Sequence, residues 1–412
     1  MKKDFIKYTI LLSLGTILSR VFVIVYRLLC AQAFTLEDYG RLALVVSLFT
    51  NISILAHIDI AAAMSKYASE FRISKKKQLP VLFYTGLVAI LPTSIFATLV
   101  FIATLNYYGL LNLEIGLLSF VSILFFSVYH HTNGFARGFE KIRESAFFSS
   151  LKGLSRLLIF IIIFYALGVQ GLTAGLYAFF LSNIAPGILN LKYSLSLIRK
   201  SALRVSKTLL RKIYAFTGFL VIAEFAYVGI ALLPRLILSF DNMADVALFD
   251  MALLLYSVFL MALSNIPAAL IPLVSKNRAQ KKKFNINLIE FGIISLIFMT
   301  IAYTSFYFGV DTYAITKILG EKYAPSLNIF HIVFIALPFH AYYAIISGIL
   351  QGLGRVKDLL RINLVGIIFS VIAYSLGIQY GLTGLGVGYV ATLITLSLIA
   401  HISFKKIRVQ AA

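Results

Sequence analysis

The sequence predicts an all-α polytopic membrane protein, with twelve transmembrane helices forming two pseudo-symmetric six-helix bundles around a central cavity. Three observations lead to this fold class: an apolar composition, twelve long apolar runs separated by basic clusters, and similar motifs in the two halves of the chain. Of the 412 residues, 60% are hydrophobic and only 13% are charged, whereas soluble proteins are about half apolar and about a quarter charged. This composition excludes a water-soluble enzyme, and the single Cys30 excludes an intrachain disulfide or a thiolate metal cluster.

Each predicted helix is a continuous run of roughly 20 or more mostly apolar residues, the length that crosses a bilayer. Because the runs do not alternate between polar and apolar residues, they predict helices rather than the strands of a barrel. The first run lacks a small-residue cleavage site and is therefore a span, not a signal peptide. The predicted spans are 5–29, 41–64, 80–105, 114–135, 146–168, 171–193, 213–237, 246–274, 285–309, 326–350, 360–379 and 382–403.

Basic residues predict the orientation of these spans, because positively charged loops stay in the cytoplasm. Of the 37 Lys and Arg residues, 31 fall at the two termini and in alternate loops, so both termini are predicted to be cytoplasmic. The loop between the fourth and fifth spans is assigned Arg137, Lys141, Arg143, Lys152 and Arg156. The net charge of +21 is thereby explained by the basic cytoplasmic loops and their attraction to the lipid bilayer. Nucleic acid is not a predicted partner.

Two motifs recur in the second half of the chain. The segments Arg137-Gly-Phe-Glu-Lys-Ile-Arg-Glu144 and Gln351-Gly-Leu-Gly-Arg-Val-Lys-Asp358 resemble each other, as do Leu167-Gly-Val-Gln-Gly-Leu-Thr173 and Leu376-Gly-Ile-Gln-Tyr-Gly-Leu-Thr383. They predict an N-terminal bundle over 1–193 and a C-terminal bundle over 213–412, although chance similarity between membrane segments is the alternative. Parallel repeats of this kind place a substrate site between the halves.

The segment 194–212 between the bundles has an amphipathic pattern. Leu195, Ile198, Ala202, Val205 and Leu209 share one helical stripe, and the basic residues lie opposite. This pattern predicts a helix on the cytoplasmic surface that acts as a linker between the bundles.

Ionisable residues within the predicted spans are the candidate functional residues, because charge at membrane depth is costly. Arg20 and Arg27 share one face of the first span, and Glu224 and Arg235 share one face of the seventh. These residues in the first helix of each bundle predict a net-cationic cavity. The planar guanidinium group of Arg can form two parallel hydrogen bonds with phosphate oxygens there. The predicted substrate-binding residues are Arg20, Arg27 and Arg235.

Two alternatives stay open at this stage. Arg20 and Glu224 could form a buried structural ion pair, and Arg27 and Arg235 could be interfacial anchors. Glu224, Asp59 and His340 are the predicted ion-coupling or cavity residues, through which H⁺ or Na⁺ could drive transport.

The remaining polar residues of the spans receive structural assignments. Asp250 and Glu290 lie near span ends and are predicted to be interfacial, and His130 and His131 to be hydrogen-bonded interior histidines. Asn265-Ile-Pro267 and Pro338 are predicted bending points.

The sequence also lacks the motifs of other functional classes. It has no Gly-rich Lys-Ser/Thr phosphate loop and no His-Glu-x-x-His motif, so ATP is not its direct energy source and hydrolysis has no residues to perform it. The predicted outer loops are too short for a catalytic domain. The chain is therefore predicted not to be an enzyme, with no catalytic residues, no metal site and no cofactor.

Several segments resemble a known family. These are the first span with Arg20 and Arg27, Leu36-Glu-Asp-Tyr-Gly-Arg-Leu-Ala-Leu44, Lys66-Tyr-Ala-Ser-Glu70 and the motif at 137–144. They resemble the polysaccharide-transport flippases of O-antigen type, within the multidrug/oligosaccharidyl-lipid/polysaccharide exporter superfamily. The resemblance implies two six-helix bundles in a V around a cationic lumen, with Arg20, Arg27 and Arg235 as candidates to receive pyrophosphate.

The resemblance further implies a function. The chain would flip an undecaprenyl-pyrophosphate-linked oligosaccharide, an O-antigen or capsule repeat unit, across the bacterial inner membrane by alternating access. Contact with polysaccharide assembly proteins is a further option. The alternatives are a cation-coupled multidrug exporter of the same superfamily and, from another class, a membrane glycan polymerase or ligase.

Overall fold

The computed structural model describes residues 2–198, 203–263 and 309–410, together with the isolated positions 270, 274, 303 and 306. This part of the chain is almost entirely helical and contains no strand. Short 3₁₀ turns occupy Lys76–Gln78, Glu321–Tyr323 and Ile378–Tyr380, and a wider turn, Ile162–Ala166, extends the sixth helix. In chain order the helices are α1 Lys2–Ala33, α2 Leu36–His57, α3 Ile60–Ser74, α4 Leu79–Tyr107, α5 Leu113–Gly138, α6 Ile142–Ile161, α7 Gly171–Leu181, α8 Ile184–Leu197, α9 Lys207–Ser239, α10 Met243–Leu263, α11 Val310–Ile318, α12 Ser326–Phe334, α13 Leu337–Gly352, α14 Val356–Gly377 and α15 Gly381–Gln410.

The described helices confirm an all-α membrane fold. Within the described ranges, nine segments are long and apolar enough to cross a bilayer, and α12 with α13, bent by 49°, is either one further broken span or a re-entrant pair. The first eight segments overlap the first eight predicted spans. The bend precedes Pro338, one of the predicted bending points, whereas the predicted span 285–309 and the Asn265-Ile-Pro267 motif lie outside the described residues, apart from Tyr303, Phe306 and Gly309.

The last apolar segment, Val356–Lys405, holds two predicted spans. At 50 residues it would extend about 75 Å as one helix, far more than a bilayer of about 30 Å. It is instead an antiparallel hairpin of α14 and α15, in which a methyl group on Gly377 would lie 2.5 Å from the Gly384 oxygen. The close backbone approach at this glycine pair explains why the motif at the turn is glycine-rich.

Polar side chains cap the N-termini of several helices. Thr35 Oγ1 accepts a hydrogen bond from the Asp38 amide at the start of α2, and Asn112 Oδ1 accepts one from Ile115 at the start of α5. Ser206 Oγ accepts one from Leu209 at the start of α9. Such caps satisfy amide donors that have no partner within the helix.

The cap at Ser206 corrects the prediction of one amphipathic helix over 194–212. Leu195 belongs to α8, Leu209 to α9, and residues 203–206 between them are not helical. A residue at an N-cap must leave the helical conformation, so Ser206 separates the two stretches. Residues 199–202 lie outside the described part of the chain.

The repeated motif has the same local structure in both places. Glu140 has φ 61° and Gly354 has φ 70°, and each stands at the same position of its motif. The amides that follow them, Lys141 and Arg355, donate to the carbonyls of Ala136 and Leu350. This is the hydrogen-bond pattern that commonly ends a helix with one left-handed residue.

The chain divides into two compact units. Unit 1 comprises Met1–Cys30 and Val45–Phe225, and unit 2 comprises Ala31–Leu44 and Ala226–Ala412. The predicted bundle boundaries at 193 and 213 stay a prediction.

Within unit 1, α1 packs against α6 through small residues. A methyl group on Gly15 would lie 2.7 Å from the Cβ of Ala146, and one on Gly153 would lie 2.2 Å from the carbonyl oxygen of Ser19. Further along the same pair, Tyr26 and Phe160 pack edge to face, with ring centroids 5.5 Å apart. The two helices therefore run parallel, with residues 20–27 of α1 level with residues 152–160 of α6.

Candidate functional site

The predicted residues Arg20 and Arg27 differ in their surroundings. Arg27 is buried, with 6% of its surface exposed, whereas Arg20 is exposed. They lie about two helical turns apart on one face of α1, and the exposed Leu18, Val21 and Val25 lie on another. The two guanidinium groups therefore do not share the apolar face of this helix.

The close packing of α1 on α6 brings further cations to this level. Lys152 and Arg156 lie about 15 and 21 Å along α6 from its first residue, by the rise of an α-helix. The prediction that Lys152 and Arg156 belong to a cytoplasmic loop is wrong, because both lie within α6, which begins at Ile142. The signal was present in the sequence: the predicted span 146–168 already contained both residues, four positions apart and therefore on one face.

Aromatic rings and hydroxyl groups surround these two cations. The Lys152 ammonium lies 3.8 Å from the centroid of Phe126. The Arg156 guanidinium lies 4.4 Å from the centroid of Phe179, and its Nε donates to Ser182 Oγ at 3.2 Å. Cations over aromatic faces gain modest electrostatic stabilisation, but an aromatic ring is not a counter-charge.

The charges of Arg27, Lys152 and Arg156 act on one another. Arg156 is repelled by Arg27, and Lys152 by Arg156. Among the described residues, no carboxylate forms an ion pair with Lys152 or Arg156. Neighbouring buried charges of like sign are costly, so Arg27, Lys152 and Arg156, which we call the unit 1 cation cluster, have the chemistry of an anion site.

The carboxylates predicted for ion coupling lie near one another in unit 1. Asp59 stands at the break between α2 and α3, where Ile58 has φ 44° and Asp59 has φ 45°. A β-branched residue such as Ile58 strongly disfavours this region, and such strain is concentrated at functional sites. Asp59 is attracted by Arg137 of α5 and repelled by Glu224 of α9. Arg20 and Glu224 form no ion pair within the described residues, so the alternative of a structural pair between them is wrong.

Three histidines of unit 1 lie near these residues. The rings of His57 and His130 are stacked, with centroids 4.3 Å apart and an interplanar angle of 6°. The adjacent His131 faces Phe83 and Gly86, and neither of its ring nitrogens has a hydrogen-bond partner within the described residues. The predicted interior position of His131 is confirmed, because this residue is fully buried, and the hydrogen bonds predicted for His130 and His131 stay a prediction.

In unit 2, Arg235 is engaged by its own unit. Its Nε and Nη2 both lie 2.9 Å from Asp250 Oδ1, and its Nη1 donates to the Ala231 carbonyl. Asp250 also accepts a hydrogen bond from Tyr39. Asp250 is only 2% exposed, and its predicted interfacial depth in the membrane stays a prediction. The buried pair argues against the predicted role of Arg235 in substrate binding.

His340 is also held within unit 2. Its Nε2 and Nδ1 contact the hydroxyl groups of Tyr227 and Tyr256 at 2.5 and 3.2 Å. Tyr227 stacks on Tyr343, which donates to Asn363. With both ring nitrogens occupied by tyrosines, His340 belongs to a hydrogen-bonded aromatic cluster, and its role in ion coupling stays a prediction.

The described residues contain no group of three or more His, Cys, Asp or Glu side chains that could hold a metal ion. Because it brings several buried cations together, the unit 1 cation cluster is the strongest candidate site in the part of the chain that the structure describes.

Comparison with known proteins places the chain in a family. Residues 5–277 match the family model described as polysaccharide biosynthesis protein. No curated protein matches the chain closely enough to be counted as a relative.

Solved structures of MATE transporters have a similar fold. An inward-facing multidrug resistance MATE family transporter of the MOP superfamily is 16% identical, with a TM-score of 0.73 and coverage of 97% of both chains. A MATE structure in the straight conformation is 14% identical, with a TM-score of 0.73, covering 100% of this chain and 96% of that chain. A mutant MATE transporter of Vibrio cholerae is 14% identical, with a TM-score of 0.70, covering 98% and 97%. The chain therefore has the fold of these proteins.

Proposed function

Because the chain belongs to the polysaccharide biosynthesis protein family and has the fold of the MATE transporters, we propose that it is a flippase. Its substrate is an undecaprenyl-pyrophosphate-linked oligosaccharide, an O-antigen or capsule repeat unit, which it moves across the bacterial inner membrane. Both termini are cytoplasmic in this proposal. Transport is by alternating access, with the polyprenyl tail remaining in the lipid.

The unit 1 cation cluster is the observation that carries this proposal. Lys152 and Arg156 lie beside Arg27, and no described carboxylate forms an ion pair with Lys152 or Arg156. A pyrophosphate group supplies a counter-charge, because its oxygens accept charge-assisted hydrogen bonds from guanidinium and ammonium groups. Arg20, exposed on the same face of α1 as Arg27, is the residue that first meets the headgroup.

The cluster suits both binding and release of the substrate. Its cations attract an anion strongly enough to remove it from water. When the anion departs, Ser182 and the aromatic rings do not neutralise the charges, so the site can bind the next anion. Asp59 and Glu224 lie near one another in the same unit, and we assign them to coupling with a cation such as H⁺ or Na⁺. Arg235 and Asp250 stabilise unit 2.

Substitution within the cluster tests the proposal. Arg156→Ala, Lys152→Ala and Arg20→Ala should each stop surface glycan display when they replace the wild type in cells, with lipid-linked glycan accumulating inside. Loss of one charged hydrogen bond, about 1.5–3 kcal/mol, corresponds to roughly a 10- to 100-fold loss of affinity for pyrophosphate. Glycan display is measured with a lectin or antibody, and membrane content by immunoblotting.

Arg143→Ala is the matched control, because Arg143 is exposed near the start of the same helix α6. It should leave both display and protein level unchanged. Normal display by the Arg156→Ala variant at wild-type protein level would refute the assignment of the cluster to the substrate.

Multidrug export is the second candidate, favoured by the structural likeness to a multidrug resistance MATE transporter and by the carboxylates Asp59 and Glu224. A cationic drug is attracted by carboxylates and repelled by the cation cluster. Ethidium efflux from cells distinguishes the two functions, because only the drug exporter predicts robust extrusion that Glu224→Gln abolishes.

A further inference from the structure

The stacked histidines lie beside the unit 1 cation cluster. The His130 ring centroid is 4.5 Å from that of Phe126 and 4.3 Å from that of His57. Lys152 reaches Phe126 from α6, with its ammonium 3.8 Å from the ring centroid. Phe126 thus connects the histidine pair to the cation cluster.

The two rings differ in their hydrogen bonds. The backbone amide of Asp59 donates to His57 Nδ1 at 3.3 Å. The proton of a neutral His57 ring is therefore on Nε2, and a second proton on Nδ1 would displace this hydrogen bond. His130 is half-buried, and within the described residues no group forms a hydrogen bond with its ring nitrogens. His130 is therefore the member of the pair that can accept a proton.

Charged groups of several neighbouring elements surround His130. Lys152 of α6, Arg137 of α5 and a positive charge on His57 would each repel a positive charge on the His130 ring. Asp59 at the start of α3 attracts Arg137 and offsets part of its charge, and the Tyr129 hydroxyl bonds with Ser149. An anion beside Lys152 and Arg156 would reverse the sign of the local field and favour a positive charge on His130.

We propose that His130 takes up one proton from the solvent when a phosphate-bearing anion occupies the unit 1 cation cluster, and returns it when the anion leaves. The inference rests on the proposed anion site and adds to it a proton site. The stacked, neutral His57 ring supports the imidazolium through its π face. Occupancy of the anion site and the protonation of His130 then change together.

Binding of inorganic pyrophosphate to the purified full-length protein in lipid nanodiscs tests this proposal. If one proton is taken up per anion, the affinity of the wild type rises about tenfold for each unit by which pH falls. His130→Asn should lose this additional pH dependence. Pyrophosphate itself titrates, so the quantity measured is the difference between the two pH profiles. His401→Asn is the matched control, because His401 is an exposed histidine of α15 bonded to Tyr342, and it should retain the wild-type profile.

A second measurement does not depend on how well a variant folds. Calorimetry of sulfate binding to the wild type, in buffers of different ionisation enthalpy, should record uptake of about one proton per anion, because sulfate takes up none itself. Sulfate binding without proton uptake, or identical pH profiles for the wild type and His130→Asn, would overturn the proton site alone. Absence of pyrophosphate binding at every pH, or binding unaffected by Arg156→Ala, would instead overturn the anion site of the proposed function and the proton site with it.

Discussion

Arg156 and Arg235 are both buried arginines within apolar helices, but their partners differ. Arg235 is paired with Asp250 in unit 2, so its charge is neutralised where it stands. Arg156 lies among rings, a serine hydroxyl and other cations. A buried charge that its own unit has neutralised stabilises that unit, whereas one that remains unneutralised is available to a ligand.

Removal of the carboxylate tests the structural role of Arg235. Asp250→Ala leaves a buried guanidinium without its partner, and we expect it to lower the free energy of unfolding by about 3–5 kcal/mol. Thermal unfolding in detergent measures the change. Glu37→Ala is the control in the same unit, because the Arg41–Glu37 pair is 4.0 Å long and largely exposed, and it should cost less than about 1 kcal/mol. Equal melting of the two variants would contradict the assignment.

Among elements, the packing of α1 on α6 matters most for the site, because it sets Arg20 and Arg27 level with Lys152 and Arg156. The contact depends on glycine, since Gly153 of α6 leaves no room for a side chain against Ser19. Close helix packing through small residues is a common means of association within membranes.

A methyl group placed in this contact should therefore disturb both stability and binding. Gly153→Ala puts its Cβ 2.2 Å from the Ser19 carbonyl oxygen, and we expect a cost of about 1–3 kcal/mol from overpacking together with weaker pyrophosphate binding. Gly218→Ala is the same substitution in α9, where nothing lies within 4 Å. It should be neutral or stabilising by about 0.5–1 kcal/mol. The free energy of unfolding and the pyrophosphate affinity are measured for both variants. Equal values would show that the α1–α6 contact accommodates a methyl group without loss of stability or binding.

At the scale of the whole molecule, the predicted orientation rests on the asymmetry of basic residues. The correction at Lys152 and Arg156 moves two of these residues from a loop into α6, but the clusters at the other loops and at the termini keep the bias. Both termini therefore remain predicted to be cytoplasmic.

Cysteine labelling checks this orientation. In a Cys30→Ser background, which removes the only cysteine, Lys76→Cys and Lys405→Cys should react with a membrane-impermeant maleimide only after the inner membrane is permeabilised. Tyr107→Cys, at the other end of α4 and 70% exposed, should react in cells with an intact inner membrane. Labelling of Lys76→Cys in such cells would reverse the topology.

The sequence by itself determined the fold class, the approximate positions of the described spans and the recurrence of one motif in both halves of the chain. These features depend on local properties: apolar length, the left-handed residue that ends a helix and the capping residues beside it. Only the tertiary structure decided which charges have partners. Asp250 is fifteen positions from Arg235 in the chain and nevertheless pairs with it, while Arg27 and Arg156 come from distant helices that a glycine contact brings together. Electrostatic energy depends on distance and burial in space, and neither can be obtained from the order of residues along the chain.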